Sequence, residues 1–111
     1  MTDTDDVLLI LTNLPDAESA NTLAAQLIEQ QLAACVNILA PATSVYRWDG
    51  AVQTDSETPM LIKSTRSNYP MLEKAIRAGH PYELPEIIAV PVTLGLPAYL
   101  DWVRDETRAT D

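Results

Sequence analysis

The chain has 111 residues, and 47% of them are hydrophobic, so it can form one domain with an aliphatic core although it contains no phenylalanine. Its net charge of −9 at pH 7 repels phosphate backbones and anionic lipid surfaces, which disfavours nucleic acids and membranes as partners. One cysteine, Cys35, excludes an internal disulfide and favours a reducing compartment. Because the amino terminus is acidic and no apolar run suits a signal peptide or a membrane span, we expect a cytoplasmic protein.

The first third of the chain predicts a buried strand followed by an amphipathic helix. Val7 to Leu11 is a continuous aliphatic run, which is typical of a central strand. Asp16 is a predicted helix N-cap, because its carboxylate can accept from the free N–H groups of the first turn. Apolar residues then recur at helical spacing along one face: Ala20, Leu23, Ala24, Leu27, Ile28 and Leu32.

The middle of the chain predicts an unusually long hairpin. Cys35 to Leu39 forms one extended segment, and the pattern resumes after Pro41 through Val45 to Trp48. Asp49-Gly50 is a strong hairpin turn signal, after which Ala51 to Gln53 starts the return strand and Met60 to Thr65 continues it. Two prolines are expected to mark bulges or bends in the arms: Pro41 and Pro59.

The last part of the chain predicts two helices around one strand. Ser67 or Asn68 caps the first helix, which Gly79 ends, as glycine does just past a helix C-terminus. Ile87 to Val92 is the strand, and its Pro91 places it at a sheet edge or a bulge. Pro97 suits the first turn of the final helix. Tyr69, Leu72 and Ile76 share one face of the first helix. The final helix carries on one face Tyr99, Trp102, Val103 and Glu106.

This order of elements predicts an α+β fold, a ferredoxin-like βαββαβ sandwich with an extra C-terminal helix and a long hairpin between its second and third strands. We expect residues 1–6 to be a flexible amino terminus, residues 7–106 a single domain, and residues 107–111 a flexible tail. One layer of helices covers only one face of the sheet, although the strands are apolar on both sides. A second copy of the chain is therefore the expected cover for the other face.

The loop from Gly79 to Ile87 carries the best candidates for a metal site. Two prolines stiffen it, and it holds the only histidine of the chain. Neutral imidazole with carboxylates suits Cu(II), so His80 with Glu83 and Glu86 is one interpretation. The alternatives are a histidine that binds carbonyls at the helix end, and solvated glutamates. Cys35 is a further metal donor or, alternatively, a small buried hydrophobe.

A second set of residues could bind an organic ligand or simply pack. Tyr46 and Trp48 share one face of the hairpin arm, where aromatic residues serve ligand stacking or subunit packing. Lys63 lies within an apolar strand, so its ammonium group either binds an anion in a cleft or extends to solvent. Tyr82 lies in the histidine loop and completes this set, with Tyr99 and Trp102 as further candidates. We recognise no nucleophile–base pair and no glycine-rich phosphate loop, so we expect no enzyme.

The chain resembles the CutA divalent-cation tolerance proteins over about residues 7–106. The segments that carry the resemblance are Thr12 to Asp16, Leu32 to Ile38, Ser44 to Gly50, His80 to Ile87 and Tyr99 to Trp102. The resemblance implies a ferredoxin-like subunit and a homotrimer whose long hairpins pair between neighbours. It implies a link to tolerance of copper and other divalent ions, an architecture similar to the PII signalling proteins, and no agreed enzymatic activity. Leu14 stands where some relatives have a cysteine, so imidazole and carboxylates are the expected metal donors.

Three functional hypotheses follow. The first is a trimeric cytoplasmic protein of divalent-cation homeostasis that binds copper or another divalent cation at or near a cleft between subunits. The second is a PII-like regulatory module that binds a small anionic metabolite, in which Lys63, Arg47 and Tyr82 matter more than His80. The third is a structural trimeric scaffold whose loop motif only stabilises the assembly.

Overall fold

The computed structural model of the protein describes residues 5–108, which fold into five strands and three helices. The predicted flexible ends fall mostly outside this range, at residues 1–4 and 109–111, and their flexibility stays a prediction. In chain order the elements are β1 (Val7–Leu14), α1 (Ala17–Glu29), β2 (Cys35–Ile38), β3 (Ala42–Trp48), β4 (Ala51–Thr65), α2 (Tyr69–Gly79), β5 (Ile87–Pro91) and α3 (Pro97–Glu106).

The strands form one antiparallel sheet in the order β2-β4-β1-β5, and β3 continues the pairing along the far half of β4. This is the predicted ferredoxin-like α+β fold. β4 is 15 residues long, so it pairs with β1 and β2 in the body and with β3 beyond it. We call residues 42–57, which form β3 and its partner half of β4, the arm. β5 lies at the sheet edge, as Pro91 predicts.

The core lies between the sheet and one layer formed by α1 and α2. Asp16 caps α1 as predicted, because its Oδ1 accepts a 2.8 Å hydrogen bond from the backbone N–H of Ser19. Most of the predicted apolar face of α1 is buried, whereas Ile28 is 42% exposed. The core cluster combines α1 and α2 with the inner side chains of β1 and β4, among them Leu8, Ile10, Leu14, Leu27, Met60, Ile62, Leu72 and Ile76.

Gly79 is the last residue of α2 and not the residue just past its end, as the sequence predicted, and its backbone is not left-handed. The reason for glycine here is space. A Cβ atom at this position would lie 3.1 Å from Cδ1 of Leu23 on α1. The absence of a side chain therefore lets α2 approach α1 closely at its carboxyl end.

The long hairpin contains one irregularity, and it lies beside Pro41. Ile38 pairs with Met60 and Ala42 pairs with Glu57, so residues 39–41 face only residues 58–59 across the ladder. The N–H of Leu39 donates to the carbonyl of Pro59 at 2.9 Å. This extra residue is a β-bulge that separates β2 from β3. The expectation for Pro41 is confirmed, and Pro59 lies opposite this bulge on β4, whose ladder with β1 continues through the pair of Asn13 and Pro59.

The face of the sheet opposite α1 and α2 is only partly covered by α3, and we call it the open face. Val103 of α3 is fully buried, while Tyr99 and Trp102 are exposed to about two fifths. Asn68 connects the end of β4 to the end of α3, because its amide donates to the hydroxyl of Thr65 at 2.8 Å and to the carbonyl of Thr107 at 3.0 Å. The rest of the open face is largely aliphatic and formed by Leu9, Leu11, Leu61, Ile88 and Val90.

Candidate functional site

His80 follows α2 and is locked into the fold through both ring nitrogens. Nε2 lies 2.6 Å from the carbonyl oxygen of Asn13, which only accepts, so Nε2 carries the proton. Nδ1 accepts a 3.2 Å hydrogen bond from the backbone N–H of Tyr82, so it is unprotonated. The residue is only 9% exposed. Both ring nitrogens of His80 thus have a hydrogen-bond partner, and neither is free for a metal ion.

Tyr82 joins the histidine loop to the arm. Its ring lies 4.7 Å from that of His80, and its phenol faces Glu57 of β4. Burial and then the carboxylate of Glu57 raise the pKa of Tyr82 to about 12. The phenol therefore stays protonated near neutral pH and donates to Glu57.

A second phenol–carboxylate pair lies beside the first on the arm. The phenol of Tyr46 donates to Oδ2 of Asp55. This hydrogen bond, followed by burial and the charges of Asp55 and Glu57, raises the pKa of Tyr46. Tyr46, Asp55, Glu57 and Tyr82 form what we call the phenol–carboxylate cluster. Trp48 lies one strand repeat beyond Tyr46, opposite Ala51, and is half exposed.

The two glutamates of the histidine loop point to different places. Oε1 of Glu86 lies 3.4 Å from the amide nitrogen of Asn13. Glu83 lines a surface groove of about 350 Å³ that runs between α2 and the loop, together with Pro70, Lys74, Arg77 and Tyr82. The structure therefore does not bring these two carboxylates together around the imidazole.

Cys35 and Lys63 meet elsewhere on the open face. They are direct cross-strand partners on β2 and β4, with Sγ and Nζ 3.9 Å apart. Lys63 also donates to Oδ1 of Asn37. Burial and then the Cys35 side chain raise the pKa of Tyr99, which approaches from α3. We call Cys35, Asn37, Lys63 and Tyr99 the lysine–thiol cluster, and Cys35 within it is half-buried.

The predicted copper donors do not form a metal centre within one chain. Along β4, Asn13 pairs with Pro59 and Cys35 pairs with Lys63. Four residues of strand separate these two pairs, or roughly 13 Å. Among residues 5–108 no three His, Cys, Asp or Glu side chains are grouped to hold a metal ion. A metal at His80 requires the imidazole to give up one of its two hydrogen bonds, and that assignment stays a prediction.

Sequence reasoning missed the partners of the aromatic residues. Asp55 and Glu57 were not singled out, although counting outward from the Asp49-Gly50 turn places Asp55 diagonally across from Tyr46 on the same face. Asn13 and Asn37 could not have been found in this way. Their roles depend on contacts between segments that are far apart in the sequence.

Comparison with known proteins decides the family. The sequence profile of the CutA1 divalent ion tolerance protein matches residues 8–106. The chain belongs to the CutA1 family. It is 46% identical over 99 residues to the divalent-cation tolerance protein CutA of Thermus thermophilus, spanning 89% of this chain and 96% of that protein.

Solved CutA structures have the same fold. The structure of the Thermus thermophilus protein superposes with a TM-score of 0.90 at 44% identity, covering 92% of this chain and 99% of that one. The structure named as the periplasmic divalent cation tolerance protein CutA of Archaeoglobus fulgidus gives a TM-score of 0.89 at 32% identity, covering 92% and 99%. The CutA relatives are thus named for cation tolerance and not for a reaction. Among residues 5–108, no helix of this chain is long and apolar enough to cross a membrane.

Proposed function

We propose that this CutA chain acts in divalent-cation tolerance as a cytoplasmic homotrimer that binds copper or another divalent cation where subunits meet, and that it is not an enzyme. The observation that carries the proposal is the incomplete burial of the open face. The family resemblance supplies the number of copies, and the names of the relatives supply the class of ion.

Apolar surface on the open face supports assembly. Ile88 and Val90 on β5 are 51% and 45% exposed, and Leu94 in the following loop is 90% exposed. Contiguous apolar surface of this kind usually marks an interaction site. A neighbouring copy of the chain would bury it and gain about 25 cal/mol for each Å² removed from water.

The arm offers a second reason for assembly. The described chain measures 52 × 27 × 23 Å, and β3 pairs only with β4 within residues 5–108. The outer edge of β3 is therefore a row of backbone groups ready to pair with another strand. Pairing of arms between neighbours would satisfy that edge and close the assembly.

Sedimentation equilibrium at low micromolar concentration tests the trimer. We expect three times the mass of the chain, and a single species at the monomer mass contradicts the proposal. Val45→Pro is expected to weaken assembly, because proline removes an N–H from the arm. Val45→Thr is the matched control, since it keeps the backbone N–H and nearly the same side-chain shape at the same exposed position.

Donor positions support cation binding between subunits. The soft donor Cys35 lies within the open face, and the hard donor Asp55 lies on the adjoining arm. A complete ligand set then requires donors from more than one copy. Calorimetric titration of metal-stripped protein with Cu(II) and Zn(II) tests this, with Cys35→Ser and Asp55→Asn as variants. Equal affinity in the parent and both variants would place the cation elsewhere.

A second function, binding of a small anionic metabolite as in PII proteins, is favoured by the lysine–thiol cluster. Lys63, Asn37 and Tyr99 direct an ammonium, an amide and a phenol to one point of an aliphatic surface. Lys63→Met is expected to abolish binding of an anion such as a nucleotide, whereas Lys74→Met on α2 retains it. If no cation and no anion binds, the scaffold interpretation is favoured, and changes in the histidine loop should then lower trimer stability.

The cytoplasmic location is supported by the single cysteine, which suits a reducing compartment. The name of the Archaeoglobus relative places that protein in the periplasm. Cell fractionation of the native host tests the location directly. Recovery in the periplasmic or membrane fraction would overturn this part of the proposal.

A further inference from the structure

Two basic side chains on α2 have no partner within residues 5–108, although the chain is strongly acidic. The net charge is −9 at pH 7, and five of the seven basic residues donate to an acceptor in that range. These five are Arg47, Lys63, Arg66, Arg104 and Arg108. The side chains of Lys74 and Arg77 make no hydrogen bond or ion pair to any residue of the same range, and both are exposed. Their charges are therefore available to a ligand.

These two cations lie on one wall of the surface groove between α2 and the histidine loop, which we call the α2 groove. The α2 wall runs from Pro70 to Ala78, a rise of about 12 Å along the helix. The loop wall is formed by Tyr82, Glu83 and Pro85. An extended peptide rises about 3.3 Å per residue, so the α2 groove matches the length of about four extended residues.

The spacing of the two cations selects a pattern of charges in the ligand. Lys74 and Arg77 are three residues apart on a helix, so their Cβ atoms lie on one face about 5–6 Å apart. In an extended peptide, alternate side chains point to the same side and are about 6.6 Å apart. Two carboxylates separated by one residue therefore match the α2 wall. Of two neighbouring carboxylates, one would point to the loop wall, where Glu83 repels it.

The other side chains of the α2 groove leave an apolar surface for the residue between the carboxylates. Glu73 lies on the α2 wall, but its carboxylate accepts a 2.8 Å hydrogen bond from the phenol of Tyr69. The phenol of Tyr82 is bonded to the arm, so its ring is the part that lines the groove. Pro70 and Pro85 add stiff apolar surface on the two walls. An aliphatic residue suits the position that faces the loop.

The α2 groove stays available when the open face is covered, because α2 lies on the other side of the sheet. Nucleic acids and anionic lipid surfaces carry long arrays of charge, which a chain of net charge −9 repels. A short segment with two carboxylates meets the two cations locally, since more distant charges are screened beyond about 8 Å at physiological salt. The charges thus favour a short acidic peptide over a polyanion.

We propose that the α2 groove binds an extended acidic segment of a partner protein, in which two carboxylates separated by one aliphatic residue pair with Lys74 and Arg77. The proposal requires neither a bound cation nor a particular assembly state, so it stands apart from the proposed function. It also differs from the lysine–thiol cluster, because Lys63 lies on the open face.

NMR titration of the isotope-labelled protein with capped tetrapeptides tests the proposal. Glu-Leu-Glu-Leu is expected to shift the amide signals of Ala78 and Tyr82 in a saturable way. Glu-Glu-Leu-Leu has the same composition with neighbouring carboxylates, so it should bind more weakly. Gln-Leu-Gln-Leu lacks both charges and should not bind. Raising the salt concentration from about 0.05 M to about 0.5 M should weaken the binding of Glu-Leu-Glu-Leu.

Variants of the α2 wall assign the binding to the two cations. Lys74→Gln and Arg77→Gln should each weaken the binding of Glu-Leu-Glu-Leu about two- to fivefold, as expected for exposed ion pairs. The double variant should lose the response. Arg66→Gln is the matched control, because it removes the same charge from an exposed arginine that precedes α2 and lies outside the groove, and it should leave the affinity unchanged.

Four results would overturn the proposal. The first is the absence of any shift with Glu-Leu-Glu-Leu, and the second is equal affinity for Glu-Glu-Leu-Leu. The third is unchanged affinity in the double variant. The fourth comes from glutarate, a free dicarboxylate without a peptide backbone. If glutarate binds as tightly as Glu-Leu-Glu-Leu, the groove is a site for small anions and not for a peptide.

Discussion

The face of the sheet beneath α1 and α2 differs from the open face in how far a single chain completes it. On the helix side of the sheet, Ile10, Leu27, Met60 and Ile62 are fully buried within one apolar cluster. On the open face, aliphatic residues stay exposed, and polar clusters lie among them. Stability of the subunit is therefore expected to reside on the helix side, while recognition of other subunits resides on the open side.

Removing a buried side chain of α1 should have the largest effect on the free energy of unfolding. Leu27→Ala is expected to lower the free energy of unfolding by about 2–5 kcal/mol through lost burial and a cavity. Ile28→Ala is the matched control on the same helix and should cost far less, since Ile28 is partly exposed. Urea unfolding with a constant slope measures both. Equal losses for the two variants would show that burial against the sheet does not decide the stability of the subunit.

Crowding the contact between the helices should give the next effect. Gly79→Val places a branched side chain against Leu23 and is expected to destabilise by about 1–3 kcal/mol. Because the clash is with one side chain, the cost should shrink in a Leu23→Ala background. A double-mutant cycle measures this coupling. Additive losses would show that space is not the reason for the glycine.

Loss of the α1 cap should give a smaller effect that depends on pH. Hydrogen bonds from Ser19 lower the pKa of Asp16, so its stabilising contribution is present above the unfolded value of about 4 and disappears as the pH falls through the lower folded value. Asp16→Ala should therefore shift the urea midpoint downward at pH 7 and converge with the parent in acid. Asp16→Asn should keep the cap without this titration. If the urea midpoints of the parent and of Asp16→Asn change with pH in the same way, the Asp16 carboxylate is not the source of the pH dependence.

Removal of an exposed phenol on the arm should give the smallest effect on the subunit. Tyr46→Phe deletes the bond to Asp55, which lies in solvent, so the unfolding midpoint of the parent should be nearly retained. Assembly or ligand binding is the property expected to change. A marked loss of subunit stability would show that the open face contributes to the core more than its exposure suggests.

Local chemistry was enough to predict most of the fold. The Asp16 cap, the Asp49-Gly50 turn, the edge position of Pro91 and the start of α3 at Pro97 each depend on a few neighbouring residues. The number of residues by which the bulge at Pro41 offsets β2 from β3 and the reason for Gly79 were not predicted. Both depend on which residue lies opposite in the folded chain, and spacing along the sequence does not contain that information.

The candidate site was predicted less well than the fold, and for the same reason. His80 was correctly noticed as the unusual residue, but its partner Asn13 lies 67 positions away in the sequence. The residue types suggested a metal ligand, whereas the backbone groups around the ring use both nitrogens. Lys63 was similarly recognised as a charged residue within an apolar strand, but the sequence did not show that its neighbours are Cys35 and Asn37.

The single extra residue between β2 and β3 reverses which residues, odd-numbered or even-numbered, face the open side of the sheet. In β2 the odd-numbered residues Cys35 and Asn37 pair with Lys63 and Leu61 on the open face, whereas in β3 the even-numbered Tyr46 pairs with Gln53 on that same side. Tyr46 and Trp48 take their side from their partners on β4, which runs without a break past the bulge. Deleting one residue from 39–41 would therefore remove the bulge and leave both side chains on the open side, so this connection can lose one residue without inverting the arm.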